Sequence, residues 1–148
     1  MREILFRGKR VDNGEWVMGY MLMSEWNNSV YIVTQDECNY NAGGSYFDGC
    51  IEEVIPETVG QYTGLTDKDG KKIFEGDICR FREWSKGDMC WIGKVHYEHQ
   101  QFVISGNPNK ECESEFLLVL SRFIPENIEI IGNIHDNPEL LKGEADER

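Results

Sequence analysis

Residues Tyr62 to Asp77, YTGLTDKDGKKIFEGD, decide the fold of this chain. Asp69-Gly70 is a strong short-range hairpin signal, because Gly accepts positive φ without a Cβ clash and Asp tolerates the left-handed region better than most residues. Ile73-Phe74 then opens an extended segment, Glu75-Gly76-Asp77 interrupts it, and Ile78-Cys79-Arg80-Phe81 resumes it with alternating side chains. A Gly inside such a run marks a bulge or a sharp bend. A calcium loop would need a Gly at the sixth position and an acid at the twelfth. Counted from Asp67, Gly70 falls fourth and the twelfth residue is Ile78, so the stretch reads as a turn feeding a strand.

The same grammar runs outward in both directions. Ile4-Leu5-Phe6 reads as a first strand, Asp12-Asn13-Gly14 as the turn into a strand Trp16 to Met23, and Val30 to Thr34 as a third strand. A Gly- and Asn-rich loop, Cys38 to Gly49, follows. Its Tyr40, Tyr46 and Phe47 are candidate binding residues, with Arg7 beside them as a basic candidate. It lacks the Gly-Lys-Ser/Thr ending of a phosphate-binding loop.

On the C-terminal side, short strands are expected at Ile73 to Phe81, Met89 to Tyr97, Gln101 to Ile104, Phe116 to Leu120 and Ile128 to Ile131. Five short strands separated by turns predict a small, strongly bent, SH3-like antiparallel barrel. Its expected core is Ile73, Ile78, Phe81, Ile92, Val95, Phe102, Ile104, Ile128 and Ile130. Asn137-Pro138-Glu139 offers a cap, a Pro at the first helical position and an acid in the first turn, so a short C-terminal helix is expected. The chain is thus read as mainly β. It has an N-terminal β unit over 1–60, a barrel unit over 61–140 sharing a core with it, and a charged tail over 141–148.

The 148 residues carry a net charge of −12, with 4 basic against 10 acidic side chains in 1–60 and 9 against 14 in 61–140. Nucleic-acid affinity rests on neutralising phosphates, so direct binding of duplex DNA is not expected. Arg2, Arg7, Lys9 and Arg10 form the one local basic excess, read as guarding an edge strand at residues 4–7. No apolar run approaches the roughly 18 residues of a membrane span, and Met1 to Arg7 breaks into charge too early for a secretory leader. The five cysteines, Cys38, Cys50, Cys79, Cys90 and Cys112, form no CxxC pair, which favours reduced thiols in a cytoplasm.

His96 and His99 invite a metal-site reading, with Glu98 as a third ligand. Residues three apart on a strand project to opposite faces, so histidines flanking a hairpin turn are the simpler reading. There is no Gly-x-Ser-x-Gly elbow. No cofactor and no catalytic residue is expected, and a metal-assisted hydrolase stands only as the weakest alternative.

Taken together, Ile4 to Arg7, Trp16 to Gly19, Gln61 to Gly70, Ile73 to Ile78, the Gly93-Lys94-Val95 strand with Phe102, and Ile130 to Glu139 resemble the YopX family of phage and prophage proteins. The resemblance covers nearly the whole chain; departures fall in loops 39–49 and 106–115. It implies a mostly β protein made in the bacterial host cytoplasm, with no established activity. The signature residues Gly64, Asp67, Gly70, Gly76 and Asp77 are explained by turn chemistry and speak for fold. Two function classes follow. One is a non-enzymatic protein-interaction module, self-association included, or its acidic variant, a decoy occupying a host nucleic-acid-binding protein. The other is an enzyme.

Overall fold

The computed structural model describes residues 3–34, 51–82, 90–106 and 116–142. Its strands are β1 (Phe6–Lys9), β2 (Trp16–Met23), β3 (Val30–Val33), β4 (Ile51–Val54), β5 (Gly60–Thr66), β6 (Lys72–Phe74), β7 (Asp77–Arg82), β8 (Cys90–Glu98), β9 (Gln101–Gly106), β10 (Phe116–Val119) and β11 (Ile128–Asn133). The protein is mainly β, in two antiparallel sheets, and the helical pieces among the described residues are 3₁₀ turns of three to five residues. The chain divides into two compact units, residues 1–62 and 63–148, with the division inside β5.

In residues 1–62 the strand order is β4, β3, β2, β1 and the start of β5. Turn Val11-Asp12-Asn13 with Gly14 at φ 72° makes the first hairpin as the sequence requires. β2 is long because it serves two neighbours: Trp16 to Gly19 pair with β1, and Tyr20 to Met23 pair with β3. The sheet coils between those halves, so that Val54 at the end of β4 bridges back to Arg10 and packs over Gly8, where a Cβ would lie 3.0 Å from the Val54 side chain. Val30, Ile32 and Val54 are the buried centre, with Phe6, Val17, Met21 and Val59 against them. The expected edge strand at 4–7 is corrected here: β1 has β2 on one side and β5 on the other, so its charges guard no edge.

In residues 63–148 the order β10, β9, β8, β7, β11 gives an open sheet. The expected barrel does not close, because β10 and β11 end the two sides of the sheet without pairing. The expected core holds at Ile73, Ile78, Phe81, Val95, Ile104 and Ile128, which are buried, while Phe102 and Ile130 pack at its margin and Ile92 is half-buried. Leu120, which opens a 3₁₀ turn after β10, adds to that core.

The expected C-terminal helix is also absent among the described residues; Pro138–Lys142 is a five-residue 3₁₀ turn. Asn137 explains why. Its side chain accepts from the Asn133 backbone N–H at 3.3 Å and sits where a Cβ on Gly132 would meet it at 2.6 Å, so the capping oxygen is committed to β11 and the segment is tied down after one turn.

Candidate functional site

The signature residues form the best-defined polar centre, and its geometry is architectural. Asp67 is 2% exposed. Its Oδ1 accepts from the backbone N–H groups of Asp69 and Lys71, both at 2.9 Å, and its Oδ2 accepts from Ile130 N–H at 3.1 Å. Lys68 N–H donates to Ile128 C=O at 2.9 Å. The turn thereby covers the outer side of β11, an edge strand that would otherwise present bare backbone. Gly64 and Gly70 hold φ of 89° and 80°. At the β6 to β7 corner, buried Asp77 accepts from Phe74 N–H at 2.8 Å across Gly76, which has φ 91°. Gly76 also donates to Val95 C=O and accepts from Ile134 N–H, both at 2.8 Å, pinning the corner to two neighbours.

The histidine candidates do come together, around Glu98. His96 Nδ1 lies 3.7 Å and His99 Nε2 3.3 Å from the Glu98 carboxylate, because the β8 to β9 turn places His99 at φ 52° and swings it back. His96 Nε2 and Ser105 Oγ are 2.8 Å apart, so hydroxyl, imidazole and carboxylate follow in the order of an acyl-transfer triad. The arrangement does not supply its chemistry. Ser105 is 4% exposed, and 3.7 Å is too long for the carboxylate to fix the ring's tautomer. Among the described residues no group of three His, Cys, Asp or Glu is placed to hold a metal ion. Cys79 is a buried core residue.

Of the proposed binding residues, Tyr40, Tyr46 and Phe47 lie outside the described residues, as does Arg2 of the basic cluster. Arg7 is half-buried with its guanidinium 4.8 Å from the Trp16 ring centroid, and the Lys9 ammonium lies 5.5 Å from the same ring. Arg10 reaches Asp12 at 2.6 Å and Glu52 at 3.2 Å, and the Asp12 carboxyl is held below its usual range chiefly by that hydrogen bond.

What sequence reasoning missed is the outer face of β2. Met18, Tyr20 and Leu22 alternate along the strand and are 46%, 47% and 50% exposed, while Val17 and Met21 turn inward to the core. By register, Val33 and Ile51 share the face beside Tyr20, and Tyr31 shares it beside Leu22. The hairpin that follows carries Trp26, 98% exposed. That tip is closed by local hydrogen bonds: Ser24 N–H donates to Ser29 C=O at 2.9 Å, Asn28 takes φ 59°, and the Ser24 and Asn27 side chains accept from Trp26 and Ser29 N–H. The signal was present in the sequence. WVMGYMLM is apolar at nearly every position, a pattern that suits a strand covered on both faces rather than one.

The two antiparallel sheets, the Asp67 clamp and the Gly76 corner define a class of small open-sheet β protein. The chain belongs to the family described as "YopX protein", which it matches over residues 5–142. Among solved structures it is similar to the crystal structure of protein EF1440 from Enterococcus faecalis, at 22% identity and a TM-score of 0.54, covering 95% of this chain and 99% of that one. That likeness concerns the fold. Comparison with curated proteins gives no match.

Proposed function

We propose that this is a non-enzymatic protein-interaction module, encoded by a bacteriophage or prophage and working in the bacterial host cytoplasm, that binds its partner through the outer face of β2 and the Trp26 hairpin. The observation that carries the reading is the exposed run Met18, Tyr20 and Leu22 on a regular strand, next to a fully exposed Trp on a hydrogen-bonded tip. Single exposed apolar residues are ordinary, but a contiguous face of them beside an aromatic tip is what binding surfaces are built from. Covering three half-exposed side chains of this size yields roughly 1 kcal/mol each, and the tryptophan more. Among the described residues no helix is long and apolar enough to cross a bilayer.

The test is affinity capture from host lysate with the wild-type chain and with Leu22→Lys and Trp26→Ala, at low and high salt. A partner held by the wild type and lost from both variants, at either salt, is the expected result. Equal capture by all three chains would contradict the assignment of the surface. The acidic-decoy reading draws on the −12 charge. It expects instead a nucleic-acid-binding partner released by high salt and indifferent to both substitutions.

A further inference from the structure

A second surface, in residues 63–148, carries charge of the opposite sign to the chain as a whole. Lys68, Arg80, Arg82, Glu126, Asn127 and Glu129 line a depression of about 450 Å³. Arg80 and Arg82 are alternate residues of β7, so their guanidinium groups leave the same face of the sheet with Cα atoms roughly 7 Å apart. Like charges so placed repel, and a fold with an excess of acids would ordinarily neutralise them.

Here the neutralisation is incomplete. Two carboxylates, Glu126 and Glu129, face three cations there, and the one in register with Arg80 is Glu129. It is engaged by Lys68, whose Nζ lies 2.6 Å from Oε2, and leaves Arg80 at 3.8 Å, beyond hydrogen-bonding distance. The Arg82 side chain, on a strand residue paired through its backbone with β8, makes no ion pair or hydrogen bond with another described residue. Among the described residues, then, the Arg82 guanidinium is not engaged and Arg80 is paired only loosely, at 3.8 Å, inside a concavity. The third cation is held in place from behind, since Lys68 donates its backbone N–H to Ile128 and follows the clamped Asp67.

We infer that this depression binds a phosphate group of a small molecule, with Arg80 and Arg82 donating to its oxygens and Lys68 supplying charge from the rim. Guanidinium forks match the planar pairs of oxygens a phosphate presents, and two of them on one face give such an ion four or more donors. The size suits a compact ligand. A long polyanion such as duplex DNA would meet the −12 field of the surrounding surface, whereas a single phosphate meets only the local cations. This inference is independent of the β2 surface.

Backbone amide NMR titration of the full chain with inorganic phosphate, against sodium chloride at matched ionic strength, tests it. Saturable shifts at Lys68, Arg80, Arg82 and Asn127 at low-millimolar phosphate are expected, with at least a tenfold weakening in Arg82→Gln and no change in Lys94→Gln, an exposed cation outside the depression. The same spectra report whether each variant is folded. Equal shifts with chloride, or an unchanged titration in folded Arg82→Gln, would overturn the site. A short duplex binding there more tightly than phosphate would overturn the small-molecule assignment.

Discussion

In residues 63–148 two carboxylates, Asp67 and Asp77, are buried and held by backbone N–H groups, whereas in residues 1–62 Met18, Leu22 and Trp26 stand in solvent. Residues 63–148 also expose Tyr97, Leu117 and Ile124, but on three separate segments, whereas those of β2 alternate along one strand. Burying a carboxylate is costly unless donors surround it, so the signature acids are there to fix a turn and cover an edge strand. Exposing large apolar groups on a strand contributes nothing to folding and invites association. The turn and corner residues Asp67, Gly70, Gly76 and Asp77 are thus accounted for by backbone geometry, whereas the exposed side chains of β2 have no such role in the fold.

The comparison breaks most visibly at backbone contacts. Gly19 sits where the β1-paired half of β2 gives way to the β3-paired half, and a Cβ there would overlap the Val33 carbonyl and crowd Ile32. Gly19→Ala is expected to destabilise by more than about 3 kcal/mol, since backbone atoms cannot step aside as a side chain would. Urea unfolding measures it; a loss under about 1 kcal/mol would show that β2 is free to shift. Next in size is Asp67→Ala, which strips three N–H groups of their acceptor and should cost about 3 kcal/mol. Asp67→Asn, which keeps one carbonyl acceptor, should cost less than Asp67→Ala.

The smallest effect concerns the exposed Lys68 and Glu129 pair. Their hydrogen bond is the first cause of both shifts, raising the Lys68 ammonium and lowering the Glu129 carboxyl relative to their usual ranges. The depressed group contributes stability that is present above its unfolded pKa and lost as pH falls through the folded one. The raised group's contribution is present below its unfolded pKa and lost as pH rises through the folded one. The pair is accordingly intact across neutral pH. Following the Glu129 carboxyl by NMR, Lys68→Met should move its titration midpoint upward; an unmoved midpoint would mean the pair does not persist in solution.

Local chemistry was legible in the sequence and long-range closure was not. Gly14, Gly70 and Gly76 announced turns because positive φ is written in the residue itself, and the core residues of β7 to β9 and β11 followed from alternation. Barrel closure depends on whether β10 reaches β11, which no local pattern encodes. The helix signal at Asn137-Pro138-Glu139 was real chemistry put to another use, because the Asn137 side chain is occupied by Asn133. β1 looked like an edge for want of a visible neighbour: β5 lies about fifty residues away in sequence, and only the fold brings it alongside. The apolar character of β2 was visible, but which face would be left uncovered was not.

The most direct test of the central claim is the stability of Met18→Ser, Leu22→Ser and Trp26→Ser by thermal and urea unfolding. If these side chains serve a partner rather than the fold, each variant should remain within about 0.5 kcal/mol of the wild type. A loss of about 2 kcal/mol or more at Met18 or Leu22 would contradict the account, because it would mean that the outer face of β2 is already covered within the folded chain.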